Sequence, residues 1–320
     1  MTISPAGWSS AQWGSADLWR QAKPLIRQAE AQRVPADFAM LIVDDSLLEK
    51  AHTNANELIC THLDHSQQRF VKGLNFVSLL YQTGELALPI AVELVRKTVL
   101  VYNAKTQHTS YHSAFTKNEY AQQMLRVAQQ QVAYRYLLTD SWYASAENMN
   151  LVRNLGHHFV FALESSRTVA LSTEARAAGQ FKAVQTLAFS EKHPLRVYLR
   201  PVKEAVLVTG QVFINKDGSQ GLLYLVSSDT DLTQDQLTTI YQRRWKVEEY
   251  HKSLKQNASL GKAPTKTLTT QINHFFAALL AYNKPEVLKL KHGFGHFRLK
   301  AQLYAVGLKV MYQQLAQLTV

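Results

Sequence analysis

Short apolar runs recur along the chain, and several stop abruptly on acidic residues. Phe38-Ala-Met-Leu-Ile-Val43 is a continuous run of the kind that forms a strand buried on both faces, and Asp44 and Asp45 follow at once. After a polar stretch over 49–68, the runs 70–81 and 86–95 predict two strands joined by a hairpin turn at Gln82-Thr-Gly-Glu85, a meander that starts at the acid-bearing strand. The composition of 116–131 predicts a helix, and Tyr134-Arg-Tyr-Leu-Leu-Thr139 a short strand ending on Asp140. A helix over 144–155 and a strand over 159–163 come next, and from 168 to 228 β-rich runs alternate with Gly and Pro. Thr233-x-x-Gln236 is a capping-box pattern that opens a long helix through Lys255. Two more helices, 267–280 and 296–318, are separated by Gly293-Phe-Gly295.

This order predicts an α/β protein with a mixed sheet flanked by helices. Residues 1–37 read as a polar, partly helical connecting segment punctuated by Pro24 and Pro35, and 38–164 as the first part of the core. The 165–230 block reads as a β-rich insertion, and 231–320 as the rest of the core with a helical C-terminal part. At 320 residues and 46% hydrophobic, the chain has enough apolar material for a substantial core. A formal charge of +11 favours a polyanionic partner, and nucleic acid and an anionic membrane both fit. The apolar stretches 86–95 and 275–282 fall short of the roughly 20 residues that span a bilayer. The N-terminus lacks a secretory pattern, and the single Cys60 excludes an internal disulfide framework, so a cytoplasmic, nucleoid-associated address is expected.

The segment Tyr241-Gln-Arg-Arg-Trp-Lys-Val-Glu-Glu-Tyr-His-Lys-Ser-Leu-Lys255 carries the most chemistry. At about 100° per residue, Tyr241, Arg244, Glu248 and Lys255 fall in a stripe roughly 60° wide, beside an apolar arc of Ile240, Val247, Tyr250 and Leu254. Taken alone, such a helix is as readily a solvated basic face with an Arg244–Glu248 pair. Its meaning changes beside two strands that each deliver an Asp. Hard oxygen ligands from separate elements are what Mg²⁺ or Mn²⁺ requires, and two such ions about 4 Å apart can drive in-line displacement at a phosphodiester. Arg and Lys on the stripe would clamp the flanking phosphates.

The spacing Tyr241-x2-Arg244-x3-Glu248-x6-Lys255 resembles the Tyr-Arg-Glu-Lys signature of bacterial insertion-sequence transposases of the Asp-Asp-Glu (DDE) class. Leu-Ile-Val-Asp44-Asp45-Ser is similar to their acid-Asp-Thr segment, and Leu-Leu-Thr-Asp140-Ser-Trp-Tyr to their second-aspartate strand. The resemblance runs from about residue 38 to 255. It implies a ribonuclease-H-like core with a β-rich insertion before the glutamate-bearing helix, and metal-dependent cut-and-paste transposition on double-stranded DNA by a DNA-bound homodimer. It further implies Asp140 and Glu248 as metal ligands with one of Asp44 and Asp45, Asp45 by similarity of order, and Tyr241, Arg244 and Lys255 as contacts to DNA phosphates. Many relatives carry a longer N-terminal DNA-recognition region, which makes a truncated copy an expectation to test. The rival readings are a nuclease of the same fold and a non-catalytic DNA-binding regulator.

Other features read more plainly. Cys60-x-His62-x2-His65 lacks the second Cys of a familiar zinc site, so these are expected to be polar loop residues. His157-His158 reads as surface or hydrogen-bonded structure. Trp142 and Tyr143 suit base stacking or core packing equally, and Trp245 reads as a wedge of helix onto sheet. Lys284, Lys289, Lys291, Arg298 and Lys300 could meet DNA backbone or simply solvent.

Overall fold

A computed structural model describes residues 13–32, 38–64, 67–190, 193–214, 217–263 and 267–318. Its first element is a helix, α1 (Ser15–Gln32), whose Leu18, Ala22 and Ile26 are fully buried. This part of the expected connecting segment is therefore packed structure, and Ser15 Oγ ties it to the Val92 carbonyl at 2.8 Å. The rest of the 1–37 segment, residues 1–12 and 33–37, lies outside the described residues, as does His65.

The apolar run at 38–43 forms a strand, but β1 (Met40–Glu49) continues through both acids, so Asp44 and Asp45 stand in mid-strand and not at its end. The pairing explains the extension. After β2 (Cys60–Asp64), the long strand β3 (Arg69–Thr83) bonds antiparallel to β1 from Met40↔Gln82 to Glu49↔Gly73, which carries the ladder past the polar pair. A turn at Gly84, with φ +49°, leads into β4 (Leu86–Leu94), as predicted. Two strands that were not anticipated, β5 (Lys97–Asn103) and β6 (His108–Ser113), pair only with each other. The capping box of Thr116 and Glu119 then opens α2 (Lys117–Ala128).

β7 (Tyr136–Thr139) lies parallel to β1, and after α3 (Ala146–Asn154), β8 (His158–Leu163) lies parallel to β7. The block expected as an insertion holds β9 (Thr168–Ala170), α4 (Thr173–Ala177), β10 (Lys182–Ala183), β11 (Leu195–Leu199), β12 (Val206–Ile214) and β13 (Gln220–Ser227). These strands do not form a sheet of their own. The second edge of β8 offers unpaired backbone groups, and the buried end of β13 takes them, Tyr224↔Leu163 through Ser227↔Val160. Among the described residues the result is one mixed 11-stranded sheet in the order β10-β9-β11-β12-β13-β8-β7-β1-β3-β2, with β4 also on β3.

The predicted 233–255 helix is interrupted. α5 (Gln234–Gln242) passes through a 3₁₀ turn at Arg243–Trp245 into α6 (Lys246–Gln256). α7 (Leu268–His292) outruns its predicted end, continues through Pro285 and stops at Gly293 in the left-handed region, φ +70°. α8 (His296–Leu318) follows, exposed from Ala301 onward as far as it is described. Among the described residues no helix is long and apolar enough to cross a membrane.

The sheet has a helical layer on each face. Even-numbered β1 positions Met40 and Ile42 share one apolar cluster with Leu237 of α5, Val247, Tyr250 and Leu254 of α6, and Phe275 of α7. Odd-numbered Leu41 and Val43 share the other with Met124 and Leu125 of α2 and Met149 and Val152 of α3.

Candidate active site

Strand alternation assigns the two neighbouring acids to different layers. Asp44 continues the even series and faces α6. Its cross-strand partner is Ser78, whose Oγ lies 3.3 Å from Tyr250 Oη of that helix. Asp45 continues the odd series and faces α2 and α3. There its Oδ2 meets Lys117 Nζ at 2.6 Å, and its Oδ1 accepts from Tyr143 Oη at 3.0 Å.

Parallel pairing brings in the third acid. Ile42 pairs with Leu138, so two residues further along, Asp44 in the middle of β1 and Asp140 just past the carboxyl end of β7 come side by side. Asp140 caps the 3₁₀ turn Ser141–Tyr143, accepting from the Trp142 N–H at 3.1 Å. Burial pushes the Asp44 carboxyl up to about 7; the Asp140 charge adds to the rise, and Arg244 opposes it. Asp140 is raised too, first by burial. Two carboxyls that resist ionising together form an acid pair short of positive charge.

Glu248 reaches the same layer from the first turn of α6. Arg244 stands between the acids, with Nη2 2.8 Å from Glu248 Oε1 and Nη1 3.5 Å from Asp44 Oδ2. Burial works against the Arg244 charge, but Tyr241, Asp44, Glu248 and Asp140 together outweigh it. Tyr241 is buried near Arg244, 5.8 Å from ring centroid to guanidinium, and burial pushes its phenol up to about 12. Lys255, two turns beyond Glu248, donates to the Leu47 carbonyl at 3.4 Å. A cleft of about 700 Å³ is lined by Asp44, Asp45, Asp140, Lys117, Trp142 and Lys255.

The structure thus gathers Asp44, Asp140, Arg244, Glu248 and Tyr241 at one edge, with Lys255 along the cleft. It does not gather the expected ligand set Asp45, Asp140 and Glu248. Asp45 lines the same cleft as Asp140 but is taken up by Lys117 and Tyr143, Glu248 is drawn onto Arg244, and among the described residues no three His, Cys, Asp or Glu side chains stand ready to hold an ion. The donor chemistry still suits a hard cation at Asp44 and Asp140, where added positive charge would relieve both burial and mutual repulsion.

Several single-residue readings change. Trp245 is 61% exposed and is not part of the core between helix and sheet. Trp142 is exposed on the cleft, with Lys117 Nζ 5.7 Å from its ring centroid, whereas Tyr143 is core. Cys60 and His62 lie on β2 and not in a loop, 3.2 Å apart, and burial brings the His62 imidazole down to about 4. Lys117 was missed altogether. The capping box could place it in the first turn of a helix, but nothing local says that this turn overlies Asp45.

Two family matches overlap on the chain. The DDE superfamily endonuclease family matches residues 5–180, which hold Asp44, Asp45 and Asp140. The transposase DDE domain family matches 93–284, which hold Asp140, Tyr241, Arg244, Glu248 and Lys255. No curated protein matches the chain. Each family match spans more than half of the 320 residues, and together they enclose every acid that the fold brings to this edge, so the chain belongs to the DDE transposases of the DDE endonuclease superfamily.

Proposed function

We propose that this DDE-family chain excises an insertion sequence by cut-and-paste transposition, cleaving double-stranded DNA at the element's ends and joining them to a target. The observation that carries the reading is the side-by-side emergence of Asp44 and Asp140 from parallel strands, on the face overlaid by the Glu248-bearing helix. A parallel β1–β7 pair, flanked by antiparallel β3 and covered by helices on both faces, supports a ribonuclease-H-like core. In this reading 165–230 is a β-rich insertion that has joined the core sheet, and the working form on DNA is a homodimer.

Asp44, and not Asp45, is the first carboxylate in this proposal, because it shares its layer with Glu248. Asp44 and Asp140 would hold a divalent cation, Mg²⁺ or Mn²⁺, and Glu248 would complete the site on leaving Arg244. Two such ions would activate the attacking hydroxyl and steady the departing oxygen. Asp45 holds Lys117 against the cleft wall, Arg244 balances the acids while they are otherwise unpaired, and Lys255 and Lys117 offer cations to the phosphates of a strand lying in the cleft. Tyr241 acts from beneath, by supporting Arg244.

Cleavage of DNA carrying the element's own ends, with and without Mg²⁺, tests the proposal. Glu248→Gln keeps shape and removes the charge, so end cleavage that disappears in this variant while binding persists supports it. Joined products at a target distinguish a transposase from a nuclease of the same fold. Salt-sensitive binding without cleavage by either protein would point instead to a regulatory copy.

A further inference from the structure

The β5–β6 hairpin is not accounted for by the acid site. Its strands pair with each other and with no other described strand, and nearly every residue from Val99 to His112 is exposed. An isolated two-stranded ribbon is marginal on its own, so what holds this one is its root. There the Lys97 N–H donates to the Glu57 carbonyl at 2.8 Å and Lys97 Nζ to the Thr61 carbonyl of β2 at 2.6 Å, while Arg96 pairs with Glu57. On the other strand Ser113 Oγ lies 3.1 Å from Tyr120 Oη of α2.

The root sits at the rim of the acid cleft. β2 contributes Leu63 and Asp64 to the cleft lining, and Lys117, four residues past the end of β6, reaches Asp45 within it.

The composition of the ribbon has one sign. Between Glu93 and Glu119 no acid occurs, while Arg96, Lys97, Lys105 and Lys117 do. The tip, Asn103-Ala-Lys-Thr-Gln-His-Thr-Ser-Tyr-His112, is almost entirely amide, hydroxyl, imidazole and ammonium groups, the kinds that bind phosphate and base edges. Asn103 Oδ1 accepts from the Lys105 and Thr106 N–H groups, which shapes the turn and leaves the Lys105 side chain exposed. Tyr102 and Tyr111 add exposed aromatic surface, and Leu100 faces Tyr111 across the strands. Such a ribbon is narrow enough to enter a DNA groove.

We infer that the β5–β6 hairpin is a DNA-gripping arm that closes over duplex DNA beside the cleft. The inference rests on the proposed DNA chemistry of that cleft. It is tested with the full chain and a mixed-sequence duplex, comparing Lys105→Glu, and separately Tyr102→Ala/Tyr111→Ala, with Lys203→Glu on the exposed loop after β11. Lys105→Glu and Lys203→Glu change the net charge equally. The expected result is that Lys105→Glu weakens binding about tenfold more than Lys203→Glu and makes the slope of log K against log salt shallower by about one unit. The tyrosine variant should weaken binding with the slope kept. Equal losses in the two charge variants, with no effect of the tyrosines, overturn the arm while leaving the cleft's DNA chemistry intact. Unchanged DNA affinity with an altered mass by light scattering makes the ribbon a contact between copies, and likewise overturns it. A wild type that binds no duplex at any salt removes the arm and the proposed function together.

Discussion

Asp44 and Asp45 share a peptide bond but little of their surroundings, and the difference sets what each substitution should do. Asp44 keeps its proton up to about pH 7 when folded and to about 3.8 when unfolded, so the folded state is penalised increasingly as pH rises between those values. Asp44→Asn should therefore raise the melting temperature above pH 7, by an amount worth on the order of a few kcal/mol, and give no gain near pH 4. If Mg²⁺ or Mn²⁺ binds here, it should raise the melting temperature of the wild type and not of this variant. His251 works in the opposite sense. Burial brings its imidazole down to about 3, with Lys255 and Arg244 contributing, so stability is lost as pH falls from about 6.5 towards 3. His251→Leu should remove that part of the acid sensitivity, read as the difference between the two melting curves across this range. The sequence named every acid at the edge and, by similarity of order, leaned to Asp45. The proposed role of Asp44 rests instead on β1 running on in a regular two-residue alternation, which depends on a partner strand remote in sequence.

Elements were legible where their signals were local. The helical composition from Thr116, the capping box of Thr233 and the turn at Gly84 begin or end elements near the predicted positions. The misses came from pairing. β1 is extended by β3, and α7 runs through Pro285 because its neighbours hold it. Glu286, next to that proline, is 2% exposed, accepts from the Ala87 N–H of β4 at 2.9 Å, and stands 2.7 Å from His296 Nε2 of α8. His296 is in turn 2.8 Å from Ser253 of α6. One carboxylate thus fastens a strand and two helices. Glu286→Ala, which strands the Ala87 donor and removes the fastening, should cost about 3 kcal/mol in urea denaturation, whereas Ser253→Ala should cost about 1. Equal, small losses would show that apolar packing alone holds the junction.

At the scale of the whole molecule, the α/β class and the helices on both faces followed from the order of apolar runs, while the single continuous sheet did not. The pattern over 168–228 shows that strands are present, but not that β13 takes the open edge of β8, since both choices bury the same residues. The net charge of +11 predicts duplex binding whose affinity falls steeply with salt, measurable as a linear log–log slope. The central place of β1 has a further consequence. It is bonded to β7 on one edge from Met40 to Ile42 and to β3 on the other from Met40 through Asp44 and beyond, so the residues just before the acids are held by ladders on both sides. Hydrogen exchange at 41–43 should then proceed only through global unfolding, while amides of the hairpin 99–112 exchange within the dead time. The acids would be anchored in the slowest-opening part of the protein, and opening of the cleft for DNA entry and release would fall to the helices and the ribbon around it.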